Sequence, residues 1–311
     1  MVRILNVEPD GYSRTAINIW EQYGLSYTET TWDRVELQES FDDVDILIVR
    51  LGKKVDEKIL KKFPRLSKII SATTGWDHLD LDALHPRGIE LVSLRGHTDF
   101  LNSVPSTAEH TWALICTLMR GIPAACADVK QGNWNRDKFR GYQLKNKKIG
   151  IIGLGRVGIN VAKYAQAFDM QVGYFDPLVS NNRYQRYKAI GDLLARSDII
   201  SLHVHLSEET HHLLNKKNLP KVKQGCFIVN TSRGKIWDED ALVQVFNTGR
   251  IKGIAADVLA DELYDIHTSA LWKLQHNEDN VIITPHLGGA TFDAMWSCEE
   301  YLASYVTGRM V

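Results

Sequence analysis

Cysteine is scarce. The 311-residue sequence holds four, Cys116, Cys126, Cys226 and Cys298, scattered without a C-x-x-C spacing. That pattern excludes a disulfide-stapled secreted scaffold and reads as reduced thiols of a cytoplasmic protein. No apolar run approaches the length that crosses a bilayer. The opening Met1-Val2-Arg3-Ile4-Leu5-Asn6-Val7-Glu8 lacks a signal-peptide pattern and reads as the start of a strand. Charge of neither sign is in excess. The formal net charge is −1, which implies no general attraction to nucleic acid or to an anionic membrane. Internal repeats and low-complexity tracts are missing as well. His203 and His205, with His211 and His212 nearby, are the nearest thing to a metal site. No cysteine or acid completes a ligand set there, and no metal is expected.

Alternation of strand and helix patterns is what the sequence does have, over a length that suits two domains with a core each. Arg3 to Val7, Asp45 to Val49, Ser67 to Ala72 and Ile89 to Ser93 read as strands. Ser13 to Tyr23, Asp56 to Lys62 and Leu81 to His85 read as the helices between them, giving a small doubly wound α/β unit. Two of its strand-end loops, Arg50-Leu51-Gly52-Lys53-Lys54 and Thr73-Thr74-Gly75-Trp76, suit a small anion. They read equally as a solvated basic cluster and an ordinary turn. Ser106 to Arg120 is one long helix, with Ser106 at the N-cap and Glu109 at capping-box spacing. It is apolar over much of its circumference, as a domain connector or a subunit interface would be. A further helix is expected to end over Asp128 to Trp134.

The centre of the chain is Lys148-Ile149-Gly150-Ile151-Ile152-Gly153-Leu154-Gly155-Arg156-Val157-Gly158: a β-branched strand, a glycine turn and the first turn of a helix. In G-x-G-x-x-G, Gly153 allows the tight turn, Gly155 lets backbone approach a pyrophosphate, and Gly158 lets helix pack on strand. The helix would point its first amides at that phosphate. The next strand ends in Asp176, at the spacing of a carboxylate that accepts from a ribose 2′-hydroxyl. An acid there favours NAD over its 2′-phosphorylated form.

Beyond Asp176, strands are expected at Ile199 to Val204, Cys226 to Thr231, Ile254 to Val258 and Val281 to Thr284. A helix is expected at Asp238 to Thr248, and a closing helix at Ala290 to Val306. In a parallel sheet the strand ends share one rim. Arg233, Glu262 and His286 therefore converge there. Together they suit reversible hydride transfer at a carbon bearing oxygen, where the protein must supply or remove a proton. An imidazole exchanges protons near neutrality. A carboxylate on its other nitrogen fixes the tautomer and stabilises the imidazolium. An arginine binds a substrate carboxylate with a fork that lysine cannot copy. Taken singly, His286 also reads as structural, Glu262 as a surface acid and Arg233 as a helix cap.

With these motifs in order, the sequence closely resembles the D-isomer-specific 2-hydroxyacid dehydrogenases (phosphoglycerate, D-lactate and glyoxylate or hydroxypyruvate enzymes). The resemblance rests on Gly75-Trp76-Asp77-His78-Leu79-Asp80-Leu81, Ser106-Thr107-Ala108-Glu109, Gly132-Asn133-Trp134 and the glycine loop. It continues through Phe175-Asp176-Pro177, Ser201-Leu202-His203-Val204, Asn230-Thr231-Ser232-Arg233-Gly234, Asp257 to Glu262, and Thr284-Pro285-His286-Leu287-Gly288-Gly289-Ala290-Thr291.

The resemblance implies an NAD-dependent oxidoreductase acting on a D-2-hydroxy acid and its 2-oxo acid, with Arg233, Glu262 and His286 as the catalytic set. It implies cofactor contacts from Gly153, Gly155, Arg156, Val157, Gly158, Asp176, Thr107, His203, Thr231 and Asp257. Asp257 would hold the nicotinamide carboxamide. Substrate contacts would come from Arg50, Thr74, Gly75, Trp76, Arg233 and His286. The implied fold is α/β: two doubly wound parallel-sheet domains, a Rossmann NAD-binding domain (101–286) inserted into a discontinuous flavodoxin-like substrate domain (1–100 and 287–311). A homodimer through the region from Ser106 onward is implied, as is the lack of a C-terminal regulatory domain. Trp76, His205 and Leu263 depart from the family pattern, which leaves the acid undetermined. Trp76 is expected to narrow the pocket. The alternative is a catalytically weak NAD(H)-sensing interaction protein, corepressor-like, on the same scaffold.

Overall fold

A computed structural model describes residues 1–308, and the last three residues of the expected substrate domain (309–311) lie outside the described residues. The chain divides into two compact units. The first comprises Met1–Val104 and the chain from Ala290 onward. Its strands are β1 (Arg3–Asn6), β2 (Ser26–Glu29), β3 (Ile46–Val49), β4 (Lys68–Ser71) and β5 (Glu90–Ser93). All are parallel, in the order β2-β1-β3-β4-β5, the flavodoxin-like arrangement. β3 is buried along its whole length, which is why it reads as an unbroken apolar run. Successive side chains go to opposite faces. Leu47 and Ile69 pack with Leu60 and Phe63, while Ile4, Ile48 and Ile70 pack with Trp20 and Leu302. Leu302 lies on the closing helix Phe292–Val306, which packs on the helix Arg14–Gln22. That contact makes the unit discontinuous in sequence.

Two elements of this unit carry no sequence signal. β2 is polar and only half buried, and it exists because β1 offers it a parallel edge. The helix Trp32–Leu37 buries a single residue, Val35, too little for a periodic pattern.

The second unit is Pro105–Gly289. Its strands are β6 (Lys148–Ile152), β7 (Gln171–Phe175), β8 (Gln185–Arg186), β9 (Ile199–Leu202), β10 (Cys226–Asn230), β11 (Ile251–Ala256) and β12 (Val281–Ile283). They pair in parallel in the order β12-β11-β10-β9-β6-β7-β8. This is the Rossmann order with one added strand, and its switch point lies between β6 and β9. One face of the sheet packs Ile152, Ile200, Leu202 and Ile228 against Leu242 and Phe246. The other packs Ile149, Ile151 and Val229 against Ile115, Leu118 and Val161.

Two expectations differ here. The long helix does run Ser106–Arg120, but Pro105 is its N-cap and no capping box forms. The Ser106 hydroxyl instead donates to the Gly288 carbonyl at 2.8 Å. The next helix is Ile122–Lys130, ending within the expected Asp128 to Trp134; Gly121 (φ +59°) breaks the chain before it and Gly132 (φ +87°) turns it afterwards. The units divide at 104/105 and 289/290 rather than at 100/101 and 286/287. The short helix Thr98–Leu101 belongs to the first unit, where Phe100 stacks on Tyr301.

The four cysteines are free, and burial pushes the Cys226 thiol up to about 12. Among the described residues, no single helix is long and apolar enough to cross a membrane.

Candidate active site

Arg233, Glu262 and His286 all belong to the second unit, on loops that leave the carboxyl ends of the neighbouring strands β10, β11 and β12. The Arg233 loop is shaped by Asn230, a fully buried amide at the end of β10. Its Nδ2 donates to the Arg233 carbonyl (2.9 Å) and its Oδ1 accepts from the Ser232 amide (2.9 Å). Gly234 then lets this loop lie against the one from β11. A Cβ at Gly234 would stand 2.1 Å from the Leu259 carbonyl carbon, closer than any side chain allows. The two loops that carry Arg233 and Glu262 are therefore in direct backbone contact.

Glu262 accepts from the Leu259 amide through Oε2 (3.0 Å). Its Oε1 pairs with His286 Nδ1 at 2.6 Å, and each side chain is a quarter exposed. The pair leaves Nε2 as the ring nitrogen available for proton exchange. His286 has φ +54°, a left-handed backbone rare for a residue with a side chain. Such strain costs about 1–3 kcal/mol and persists where the surroundings over-determine it. Here the His286 amide donates to the carbonyls of Asp257 (2.9 Å) and Thr284 (3.0 Å).

Asp257 is the hub of that restraint, at 1% exposed. Its Oδ1 accepts from His110 Nε2 (3.0 Å), Thr284 Oγ1 (2.6 Å) and the Leu287 amide (2.8 Å), and its Oδ2 from the Gly288 amide (2.8 Å). Burial works to raise its pKa. The hydrogen bonds from His110, Thr284 and Leu287 outweigh it and hold the carboxyl below the ordinary range. His110 and the Leu287 and Gly288 amides carry no sequence signal of this role, because their shared partner is remote in the chain.

The glycine loop lies at the switch point. Gly153 has φ +90°, and a Cβ there would meet the His203 carbonyl oxygen at 2.6 Å. A Cβ on Gly158 would meet the Gly153 carbonyl oxygen at 2.1 Å. Both absences are demanded by the fold. Gly155, at the N-cap of the helix Arg156–Ala167, is different: a Cβ there would meet nothing within 4 Å.

Comparison with known proteins settles the family. The model of the D-isomer specific 2-hydroxyacid dehydrogenase, NAD binding domain, matches residues 112–288. The chain belongs to this family. It is 34% identical to the D-3-phosphoglycerate dehydrogenase of Methanocaldococcus jannaschii, over 98% of this chain and 57% of that protein. It is also 34% identical to the glyoxylate reductase of Thermococcus litoralis, over 86% of this chain and 81% of that one. The chain spans about half the length of the curated phosphoglycerate relatives it matches. In three dimensions it is similar to the crystal structure of D-lactate dehydrogenase from Aquifex aeolicus complexed with NAD and lactic acid. That likeness has a TM-score of 0.78 and 29% identity, and it covers 98% of this chain and 96% of that one.

The second unit fits the dinucleotide this family's domain binds. The open side of Gly155 leaves room for a pyrophosphate against backbone. Arg156 and Val157 open the helix, the end at which a helix favours an anion. Asp176 accepts from the amides of Leu154, Leu178 and Val179, which leaves a lone pair of its carboxylate for a ribose hydroxyl. His203 bonds Ser201 (2.8 Å), and burial pushes its pKa down to about 3, so its ring is neutral. Thr231 and Thr111 share a hydroxyl contact of 2.7 Å, and the Thr107 carbonyl accepts from Thr111. Asp257 is committed mainly to the His286 loop, a role the sequence does not announce.

The two kinds of glycine predict opposite phenotypes. Gly155→Ala should unfold at the wild-type temperature and bind NADH at least tenfold more weakly. Gly158→Ala should lose about 1–3 kcal/mol of stability through overpacking. Thermal unfolding and NADH fluorescence titration separate the two. Unchanged NADH affinity in Gly155→Ala would remove the pyrophosphate reading.

In the first unit, the guanidinium of Arg50 is already engaged. It pairs with the buried Glu299 (2.5 Å) and donates to the Asp10 carbonyl (2.8 Å). Lys53 pairs with Glu36. Thr74, Gly75 and Trp76 follow β4 as expected. The Trp76 indole donates to Ser93 Oγ (2.8 Å) and packs on the core of its own unit.

Proposed function

We propose that this chain is an NAD-dependent dehydrogenase of D-2-hydroxy acids, interconverting them with 2-oxo acids. The observation that carries the reading is the 2.6 Å Glu262–His286 pair, joined through touching backbone loops to Arg233, on the strand-end rim of an NAD binding domain. Bound NAD supplies the hydride acceptor in oxidation, and NADH the donor in reduction. Arg233 binds the substrate carboxylate as a fork and draws electron density from the adjacent carbonyl. In the first unit, the amides of Gly75 and Trp76, on the loop after β4, are the proposed donors to a carboxylate. His286 Nε2 gives a proton to the carbonyl oxygen in reduction and takes one from the hydroxyl in oxidation. Glu262 holds the ring's orientation and stabilises its charged form. The free cysteines support a cytoplasmic setting. Ile122, Val129 and Trp134, all exposed beyond the long helix, support a homodimer.

The test is NADH oxidation, followed by absorbance, with a panel of 2-oxo acids. At least one acid should be reduced. No oxidation with any acid would favour the NAD(H)-sensing alternative.

A further inference from the structure

We infer that Arg95 and Trp76 form a subsite for a second anionic group, carboxylate or phosphate, at the far end of the substrate. The inference rests on the proposed function and names the substrate class within it.

The residues lie wholly in the first unit. Trp76 follows Gly75 on the loop after β4, and Arg95 follows β5, the next strand in the same parallel sheet. The guanidinium carbon of Arg95 sits 4.3 Å from the centroid of the Trp76 ring. Ser93 ties both residues down, accepting from the Trp76 indole (2.8 Å) and from the Arg95 amide (3.3 Å). The indole is thus fixed at its edge, with its face under the cation. Trp76 therefore acts as a platform, rather than as the plug that its size suggests.

Arg95 is exposed, and it pairs with no carboxylate among the described residues. The other cations on this rim differ. Arg50 is matched by Glu299 and Lys53 by Glu36. An arginine stacked on an aromatic face keeps its in-plane N–H donors directed outward, with less freedom to lose on binding. Such a fork recognises a carboxylate or a phosphate bidentately. The ring beneath it belongs to Trp76, on the loop whose Gly75 and Trp76 amides are proposed for the first carboxylate. A 2-oxo acid with a second negative group would meet both.

The experiment compares kcat/KM for pyruvate, oxaloacetate and 3-phosphohydroxypyruvate in the wild type, Arg95→Gln and Arg95→Lys. Wild type should prefer one or both doubly anionic acids over pyruvate. Arg95→Gln should lower kcat/KM for the preferred acid about 10- to 100-fold, mainly through KM, and leave pyruvate within about twofold. Arg95→Lys should fall between them. Loss with oxaloacetate alone, or with the phosphate ester alone, identifies the anion. An equal effect on all three acids, or none, overturns the subsite. If no acid is reduced, the proposed function has failed, and phosphoglycolate binding by calorimetry still decides the subsite. Weaker binding to Arg95→Gln than to wild type supports it, and equal or absent binding to both overturns it.

Discussion

Replacing His286 with alanine should lower kcat for 2-oxo acid reduction by about 10²- to 10⁴-fold, the range expected for loss of a positioned acid or base. NADH affinity should stay near wild type, because the residues fitted to the dinucleotide lie at the glycine loop and Asp176. Glu262→Gln should keep the fold and lose less, since the imidazole remains but its charged form loses the 2.6 Å carboxylate partner. His286→Gly is an informative companion. Glycine accepts the φ of +54° without strain, so this variant should unfold near the wild-type temperature while losing the same turnover. Steady-state kinetics, NADH titration and thermal unfolding of the three variants give the measurement. Wild-type turnover in His286→Ala would place the proton source elsewhere.

Arg233→Lys is expected to lower kcat/KM by about 10²-fold or more. Charge is retained, but the fork that binds carboxylate and polarises carbonyl is lost, and removal of one such transition-state donor typically costs about 10²–10³. The loop should keep its course, because Asn230 grips the carbonyl of residue 233 and the Ser232 amide, while the Arg233 Nη1 bond to the Ser232 carbonyl is lost. Crystallographic or circular-dichroism identity with the wild type, together with an intact NADH Kd, would show that the loss is chemical. A Lys variant with wild-type kcat/KM would mean that Arg233 does not touch the carboxylate.

Much of this site is legible because its signals are local. The turn at Gly153, the open side of Gly155 and the packing at Gly158 are backbone properties of one short segment, and Gly153 and Gly158 do in the structure what their spacing suggests. The parallel strands are equally plain, since strands covered on both faces become unbroken apolar runs, as in Cys226–Asn230. Strand ends then place Arg233, Glu262 and His286 on one rim.

Other features escape because their causes are distant in sequence. The closing helix brings Glu299 to Arg50. Ser106 reads as a helix cap until Gly288 claims its hydroxyl. Ser93 and Arg95, from the end of β5, hold and overlie the Trp76 indole. Asp257 gathers His110, Thr284, Leu287 and Gly288 from remote parts of the chain.

The sequence by itself determined the two α/β sheets, the glycine loop of the NAD binding domain and the strand-end positions of Arg233, Glu262 and His286. These follow from short-range periodicity and from turns that only glycine permits. The tertiary structure decided which polar groups are already partnered. A hydrogen bond or ion pair between remote residues leaves no periodic trace.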